Sequence, residues 1–292
     1  MKCNICPRKC NVDRSINAGF CNANNSLKIA KYMVHYWEEP IISGTNGSGA
    51  IFFSHCNLKC VYCQNYQISS LGEGKHISTH KLIDIIKQLE NKGVHNINLV
   101  TPSHYTNQII EALTIYKSKV PIVWNSNGYE SVNTIKRLKD LVDIYLVDMK
   151  YMDENLALNL SGAKDYPQIC QQAILEMRKN QPQDIVIDGM MQKGVIVRHL
   201  VLPSEIQNSF NVLDWVNNAL GKDTYISVMG QYIPYHLVTT QPQYAKYNRS
   251  LKPIEYKRVI NHLNTLGFIN GFYQDLSSAS ECFIPDFNKF SN

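Results

Sequence analysis

Apolar residues recur along the chain in two alternating periods. Short runs of strand length appear at Ala50–Ser54, Ile97–Thr101, Pro121–Asn125, Asp143–Lys150, Gly194–Leu202 and Tyr225–Gly230. Between them the apolar positions switch to helical spacing. Residues 79–92 place Leu82, Ile83, Ile86 and Leu89 on one face, with Ser78 or Thr79 to cap the start and Gly93 to stop the end. Further helices are predicted over 105–117, 131–140, 167–179, Phe210–Leu220 and Pro253–Leu266, the last with Pro in its first turn and Gly267 behind it. Cys170 falls on the apolar face of the 167–179 helix and reads as a small core residue.

Strands that alternate with amphipathic helices imply parallel pairing through right-handed crossovers. Six such units are too few for a closed eight-stranded barrel and enough for a curved, partial (β/α)6 TIM-like barrel. In that α/β architecture ligands gather at the C-terminal ends of the strands. The Gly/Ser-rich stretch 43–49 suggests a division into a Cys-rich segment over 1–48, a barrel core over 49–235 and a C-terminal extension over 236–292 that packs on the core.

Composition changes this picture little. The chain has 292 residues, 44% of them hydrophobic and 18% charged, an ordinary globular balance. Its formal net charge of +5 is spread along the chain, so a mixed solvated surface is expected rather than a nucleic-acid footprint. No apolar run reaches membrane-spanning length, and Met1–Cys6 lacks the apolar core of a signal peptide. A cytoplasmic location follows as the expectation, with no membrane partner.

The cysteines change it a great deal. There are nine, and in a reducing compartment they argue for metal binding over disulfides. Cys3, Cys6, Cys10 and Cys21 lie in a loop-rich stretch as C-x2-C-x3-C-x10-C. Four thiolates there can close a tetrahedral Zn site or hold a second Fe–S cluster, and the spacing does not decide between them. Unligated cysteines are the competing reading. Cys56, Cys60 and Cys63 form C-x3-C-x2-C directly after the first strand, with Tyr62 before the last. Three thiolates on one loop can hold three irons of a [4Fe–4S] cluster and leave the fourth iron open for chemistry. That loop belongs on the ligand-binding face. Cys282 reads as a free thiol in the tail.

The run Gly47-Ser48-Gly49-Ala50-Ile51-Phe52-Phe53-Ser54-His55-Cys56-Asn57-Leu58-Lys59-Cys60-Val61-Tyr62-Cys63-Gln64-Asn65 resembles the radical SAM superfamily. More narrowly it resembles the pyruvate formate-lyase activating enzymes and their PflX-like branch, whose members also carry an N-terminal four-cysteine segment. The resemblance spans nearly the whole chain. It implies a radical SAM type of barrel, a [4Fe–4S] cluster on Cys56, Cys60 and Cys63, and S-adenosylmethionine on the open iron. The chemistry implied is reductive cleavage to a 5′-deoxyadenosyl radical that takes a hydrogen atom from substrate. It also implies anaerobic operation and a flavodoxin- or ferredoxin-type electron donor.

Carried over residue by residue, Tyr62 stands near the adenine. Asp148-Met149-Lys150 resembles the Asp-x-Lys element that ends the fourth strand, and Arg198 resembles an arginine that pairs with the methionyl carboxylate. After the second strand this chain reads Val100-Thr101-Pro102-Ser103-His104, where the family carries Gly-Gly-Glu. Only the position transfers, with Thr101 and Ser103 as candidate S-adenosylmethionine contacts. Asn125 and Asn127 at the third strand's exit are candidates for the ribose or the amino-acid moiety.

Each position has a plainer competitor. Asp148 and Lys150 can pair with each other at the rim. Glu38 and Glu39 are candidates for acid or base, and their plainer reading is a solvated turn with one of them paired to a Lys or Arg. A buried Arg198 needs a partner, and His199 should face the opposite side of its strand, toward a helix. Gln231, Tyr232, His236, Tyr273, Gln274 and Asp275 are candidates for the substrate mouth.

The leading function is a glycyl-radical-enzyme activase, with a glycine in a partner protein as substrate. Gln64-Asn65-Tyr66 replaces the activases' His-Asn-Pro. This departure keeps open a radical SAM enzyme acting on a small molecule, another peptide or RNA. A non-catalytic protein with two Zn sites is the alternative of another class, with His55 as the fourth ligand beside Cys56.

Overall fold

The computed structural model describes residues 2–274, 276, 285–287 and 289–291. After the cysteine-bearing N-terminal loops the chain runs through β1 (Leu27–His35), α1 (Pro40–Ser43), β2 (Ser48–Phe53), α2 (Tyr66–Ser69), β3 (Lys75–Ile77) and α3 (Thr79–Asn91). It continues through β4 (Ile97–Val100), α4 (Thr106–Ile115), β5 (Ile122–Ser126), α5 (Val132–Arg137), β6 (Ile144–Asp148), α6 (Glu154–Ser161) and α7 (Tyr166–Asn180). The remaining elements are β7 (Ile185–Ile187), β8 (Met190–Leu200), α8 (Ile206–Leu220), β9 (Tyr225–Met229), α9 (Pro253–Leu266) and β10 (Gly271–Tyr273).

The six predicted strands are β2, β4, β5, β6, β8 and β9, and they pair in parallel in that order. The result is an open sheet of the partial-barrel kind, as expected. Strand β10 extends it in parallel beyond β9, while β1 pairs antiparallel with β2 and β3 at the other end. The division expected at residues 48 and 49 therefore falls at the start of β2, between two hydrogen-bonded strands. Met33 of the expected Cys-rich segment sits opposite Ala50 of the core.

Some bounds move for local reasons. Helix α5 starts where Ser131 accepts the Thr134 amide, and it stops at Arg137 rather than 140 because Asp140 turns to φ +65°. Helix α6, not predicted, is started by Asp153, whose carboxylate accepts the Leu156 amide at 2.7 Å.

The period-2 alternation of the strands sorts their residues between two cores. Trp124, Tyr145, Val147, Val195 and Val197 face the helices and join the main core. Val123, Ile144, Leu146 and Ile196 face the barrel interior, where they pack around Ile42 of α1. The short helix between β1 and β2 thus fills the lower interior. One step further along the same face come Asn125, Asp148 and Arg198. The interior changes from apolar to polar at the C-terminal ends of the strands.

Candidate functional site

The cysteine loop leaves β2 through His55, which holds φ +74°, and Lys59 holds φ +55°. These left-handed positions let the chain turn tightly enough to bring three sulfurs to one side. Each sulfur accepts a hydrogen bond. Cys56 Sγ accepts from the Leu58 amide and from Asn127 Nδ2, both at 3.3 Å. Cys60 Sγ accepts from Ser161 Oγ at 3.1 Å, and Cys63 Sγ from Ser69 Oγ at 3.3 Å.

Burial pushes the Cys63 thiol up to about 12, and it raises Cys60 as well, with the neighbouring cysteines adding to both. As bare thiols these two hold their protons, so a shared cationic centre is what would take the sulfurs as thiolates. Among the described residues no three His, Cys, Asp or Glu are arranged to hold a single metal ion. The fit to a [4Fe–4S] cluster therefore rests on donor type, on loop spacing and on the donors aimed at the sulfurs. On those grounds the three cysteines fit it.

All three cysteines line a cavity of about 910 Å³, toward the upper end of the range of about 300–1,000 Å³ for small-molecule sites. Tyr62, Thr101, Asn125, Asn127, Asp148, Lys150 and Arg198 line it too. Ser103 does not. Its hydroxyl is buried and donates to Glu130 Oε1 at 2.5 Å, so it is removed from the candidate contacts. Thr101 stands at φ +58°, an uncommon conformation for a β-branched residue. Asn127 connects the exit of β5 to the cysteine loop, since its Nδ2 also donates to Asn57 Oδ1 at 2.8 Å. Tyr62 begins a hydroxyl chain that runs to Tyr151 at 2.7 Å, to Ser161 at 2.8 Å and so to Cys60.

Charged groups form the cavity's inner layer. Lys150 Nζ pairs with Asp148 Oδ2 at 2.6 Å. Burial works against the Lys150 charge, but Asp148 and the Cys60 and Cys63 sulfurs together outweigh it and the pKa rises. Arg198 donates through Nε to Glu39 Oε1 at 2.8 Å, through Nη2 to Glu39 Oε2 at 2.5 Å, and through Nη2 to Glu38 Oε2. Glu38 Oε1 accepts from Asn98 Nδ2 at 2.7 Å, and the Ser227 side chain bonds Glu39. The expectation of a solvated turn at Glu38 and Glu39 is corrected here. Pro40 starts α1, α1 plugs the interior, and the two preceding carboxylates are carried inside with it. The signal in the sequence was two adjacent acids before a proline; their buried partner lay more than 150 residues away.

Gln231, Tyr232, Tyr273 and Gln274 reach the cavity. His236 does not line it, and its ring stacks on Tyr66 at 4.9 Å. Asp275 and Cys282 lie outside the described residues. His199 faces α8, with Nδ1 2.8 Å from Met149 O and Nε2 2.9 Å from Ser209 Oγ. His55 lines the cavity while its ring packs against Gly72, where a Cβ would sit 2.3 Å from Cε1. Sequence reasoning missed Ser69, Ser161 and Tyr151, since serine and tyrosine carry no spacing signal.

In the N-terminal loops Phe20 N donates to Cys10 Sγ at 3.1 Å. A Cβ on Gly19 would lie 3.4 Å from Cys10 Sγ and 3.7 Å from Cys21 Sγ, so both sulfurs border that glycine. Burial raises the Cys6 thiol to about 12 and raises Cys21 too. No helix among the described residues is long and apolar enough to cross a membrane.

Residues 50–200 match the family model described as the Radical SAM superfamily. Over 250 residues the chain is 30% identical to the Methanocaldococcus jannaschii protein MJ0674, covering 82% of this chain and 68% of that one. It is 21% identical over 279 residues to MJ0808 of the same organism, covering 87% and 75%. Among solved structures it is similar in fold to SuiB of Streptococcus suis, with a TM-score of 0.50 and 16% identity, covering 77% of this chain. The chain spans about half of that structure's length, 49%.

Proposed function

The chain belongs to the radical SAM superfamily, and from that premise we propose that it is a hydrogen-abstracting enzyme of the glycyl-radical-activating, PflX-like type. The family implies an enzyme with a [4Fe–4S] cluster and S-adenosylmethionine. When bound, that pair supplies a 5′-deoxyadenosyl radical by one-electron reduction, and the radical removes a hydrogen atom from substrate. One observation carries the reading. Three cysteine sulfurs, each with its own hydrogen-bond donor, open onto a single cavity with a charged inner layer.

In this reading Cys56, Cys60 and Cys63 ligate three irons, and Asn127, Ser161 and Ser69 hold the sulfurs in place. Tyr62, Thr101, Asn125, Asn127 and the Asp148–Lys150 pair surround S-adenosylmethionine. Arg198, already shared by two glutamates, stiffens the floor beneath it. Cys3, Cys6, Cys10 and Cys21 hold Zn or a second Fe–S cluster. A polypeptide substrate suits the mouth, where Tyr36, Trp37 and Tyr273 stand more than half exposed among the lining residues. A flavodoxin- or ferredoxin-type donor in the cytoplasm completes the proposal.

A small-molecule substrate is the second reading. It is favoured by the Thr101-Pro102-Ser103 turn, which carries no carboxylate where the activases have one.

The test is anaerobic reconstitution followed by iron analysis, the absorption spectrum, and assay for 5′-deoxyadenosine with S-adenosylmethionine and dithionite. A brown protein that makes 5′-deoxyadenosine, and loses both properties in Cys60→Ala, is expected. A fully loaded cluster that makes none rules out the radical function. A glycyl radical signal on a co-encoded partner separates the activase reading from the small-molecule one.

A further inference from the structure

The N-terminal four-cysteine loops do not merely sit near the catalytic loop. They are keyed into it by Arg8, which lies between Cys6 and Cys10. Its guanidinium donates through Nε to Asn57 O at 2.9 Å, through Nη1 to Gly162 O at 2.5 Å and through Nη2 to Ser161 O at 3.0 Å. Its carbon centre stands 3.9 Å from the Phe20 ring centroid and 5.1 Å from that of Tyr129. Lys59 Nζ stands 5.1 Å from the Phe20 centroid, so one aromatic ring of the N-terminal segment meets cations from both sides of the junction.

Two of the three carbonyls that Arg8 binds, those of Asn57 and Ser161, belong to residues in the hydrogen bonding around the sulfurs. Asn57 accepts from Asn127 Nδ2 at 2.8 Å, and the same Nδ2 group donates to Cys56 Sγ. Asn57 also donates from its own Nδ2 to Tyr129 O at 2.8 Å. Ser161 is the donor to Cys60 Sγ. A planar fork with donors in fixed directions suits three carbonyls from two separate segments, and a lysine could not span them. Arg8 lies outside residues 50–200, the part shared with the family.

We propose that Arg8 is a positioning residue through which the N-terminal four-cysteine segment sets the reduction potential of the cluster held by Cys56, Cys60 and Cys63. The inference rests on the function proposed above and adds regulation of that same site. Hydrogen bonds to sulfur and nearby positive charge both make a cluster easier to reduce. Arg8 supplies the charge directly and the hydrogen bonds through Ser161 and Asn127. A change in the N-terminal loops, such as metal loss, would move Arg8 and reach the cluster without touching a ligand.

The experiment compares reconstituted wild type, Arg8→Ala and Arg8→Lys at equal iron content. Midpoint potentials come from redox titration, and electron paramagnetic resonance reports on the reduced cluster. Arg8→Ala should titrate at a more negative potential with an altered signal. Arg8→Lys, which keeps the charge and loses the fork, should fall between it and wild type. Potentials and signals identical to wild type in both variants overturn the inference while leaving the proposed function intact. If Arg8→Ala does not fold, Arg8→Lys decides alone by the same criterion. A wild type that binds no iron at Cys56, Cys60 and Cys63 overturns the proposed function and this inference with it.

Discussion

Arg198 and Glu39 meet inside the barrel through two hydrogen bonds, Nε to Oε1 at 2.8 Å and Nη2 to Oε2 at 2.5 Å. One comes from the end of β8 and the other from the connection between β1 and β2. Glu38 joins the same guanidinium, so two carboxylates share one cation under the cavity. Arg198→Ala would leave both carboxylates buried without a cation, and we expect a stability loss of about 3–5 kcal/mol in urea denaturation. Replacing all three residues by apolar ones of similar size should recover most of that loss, because the desolvation cost disappears with the charges.

Glu39 also predicts an acid limit. Burial alone would raise its carboxyl, but the Arg198 charge and the hydrogen bonds from Arg198 and Ser227 together outweigh burial and hold it below 4.5. A depressed folded value stabilises the native state above the unfolded pKa, and the contribution is lost as pH falls through the folded one. The stability gap between wild type and Glu39→Gln should therefore be constant above pH 4.5 and narrow below it. A gap that stays constant down to pH 3 in thermal melts would contradict this.

Glu130 works in the opposite direction. Burial raises its carboxyl to about 7, against hydrogen bonds from Ser103, Trp124 and Ser126 that favour the charged form. A raised folded value contributes fully below the unfolded pKa of 4.5 and is lost as pH rises through 7. Between pH 4.5 and 8 wild type should lose about 3 kcal/mol relative to Glu130→Gln. Parallel pH profiles for the two proteins would refute the buried, proton-holding state.

Tyr151 links Tyr62 to Ser161 in the hydroxyl chain that reaches Cys60. Tyr151→Phe removes one hydroxyl and no other volume. It leaves the buried Tyr62 hydroxyl without that partner, which should cost about 1–3 kcal/mol. Denaturant midpoints measure it, and a change below a few tenths would mean that water replaces the lost group.

Gly93 and Gly128 share φ +77° but not their surroundings. A Cβ at Gly93 meets nothing within 4 Å, so Gly93→Ala should cost only the backbone term of about 1–2 kcal/mol. A Cβ at Gly128 would come 2.3 Å from Asp148 O and 2.6 Å from Cys170 Sγ. Gly128→Ala must push the end of β6 aside, disturbing the Asp148–Lys150 pair. It should cost at least twice as much in calorimetry, and equal losses at the two glycines would show that the site yields freely.

Much of this was readable along the chain because the physics involved is local. Period 2 in the strands and helical spacing between them determined six parallel units and a partial barrel. The spacing of Cys56, Cys60 and Cys63 behind the first strand determined one loop with three thiolates at the strand ends. His199 could be assigned to the helix side from its parity with Arg198. The family match over residues 50–200 takes in the cysteine loop and five of these six strands, with β9 beyond it.

Other features depended on chain segments that meet only after folding. Glu38 and Glu39 looked like a turn because their partner Arg198 is remote, and only the plug formed by α1 carries them inside. Ser103 looked like a cofactor contact from its place after β4, yet Glu130 turns its hydroxyl away. Arg8 carries no signal in the sequence, and only folding brings the carbonyls of 57, 161 and 162 around it. Local periodicity is written in neighbouring residues. Buried charge and shared hydrogen bonds are set by which distant segments the packed barrel makes adjacent.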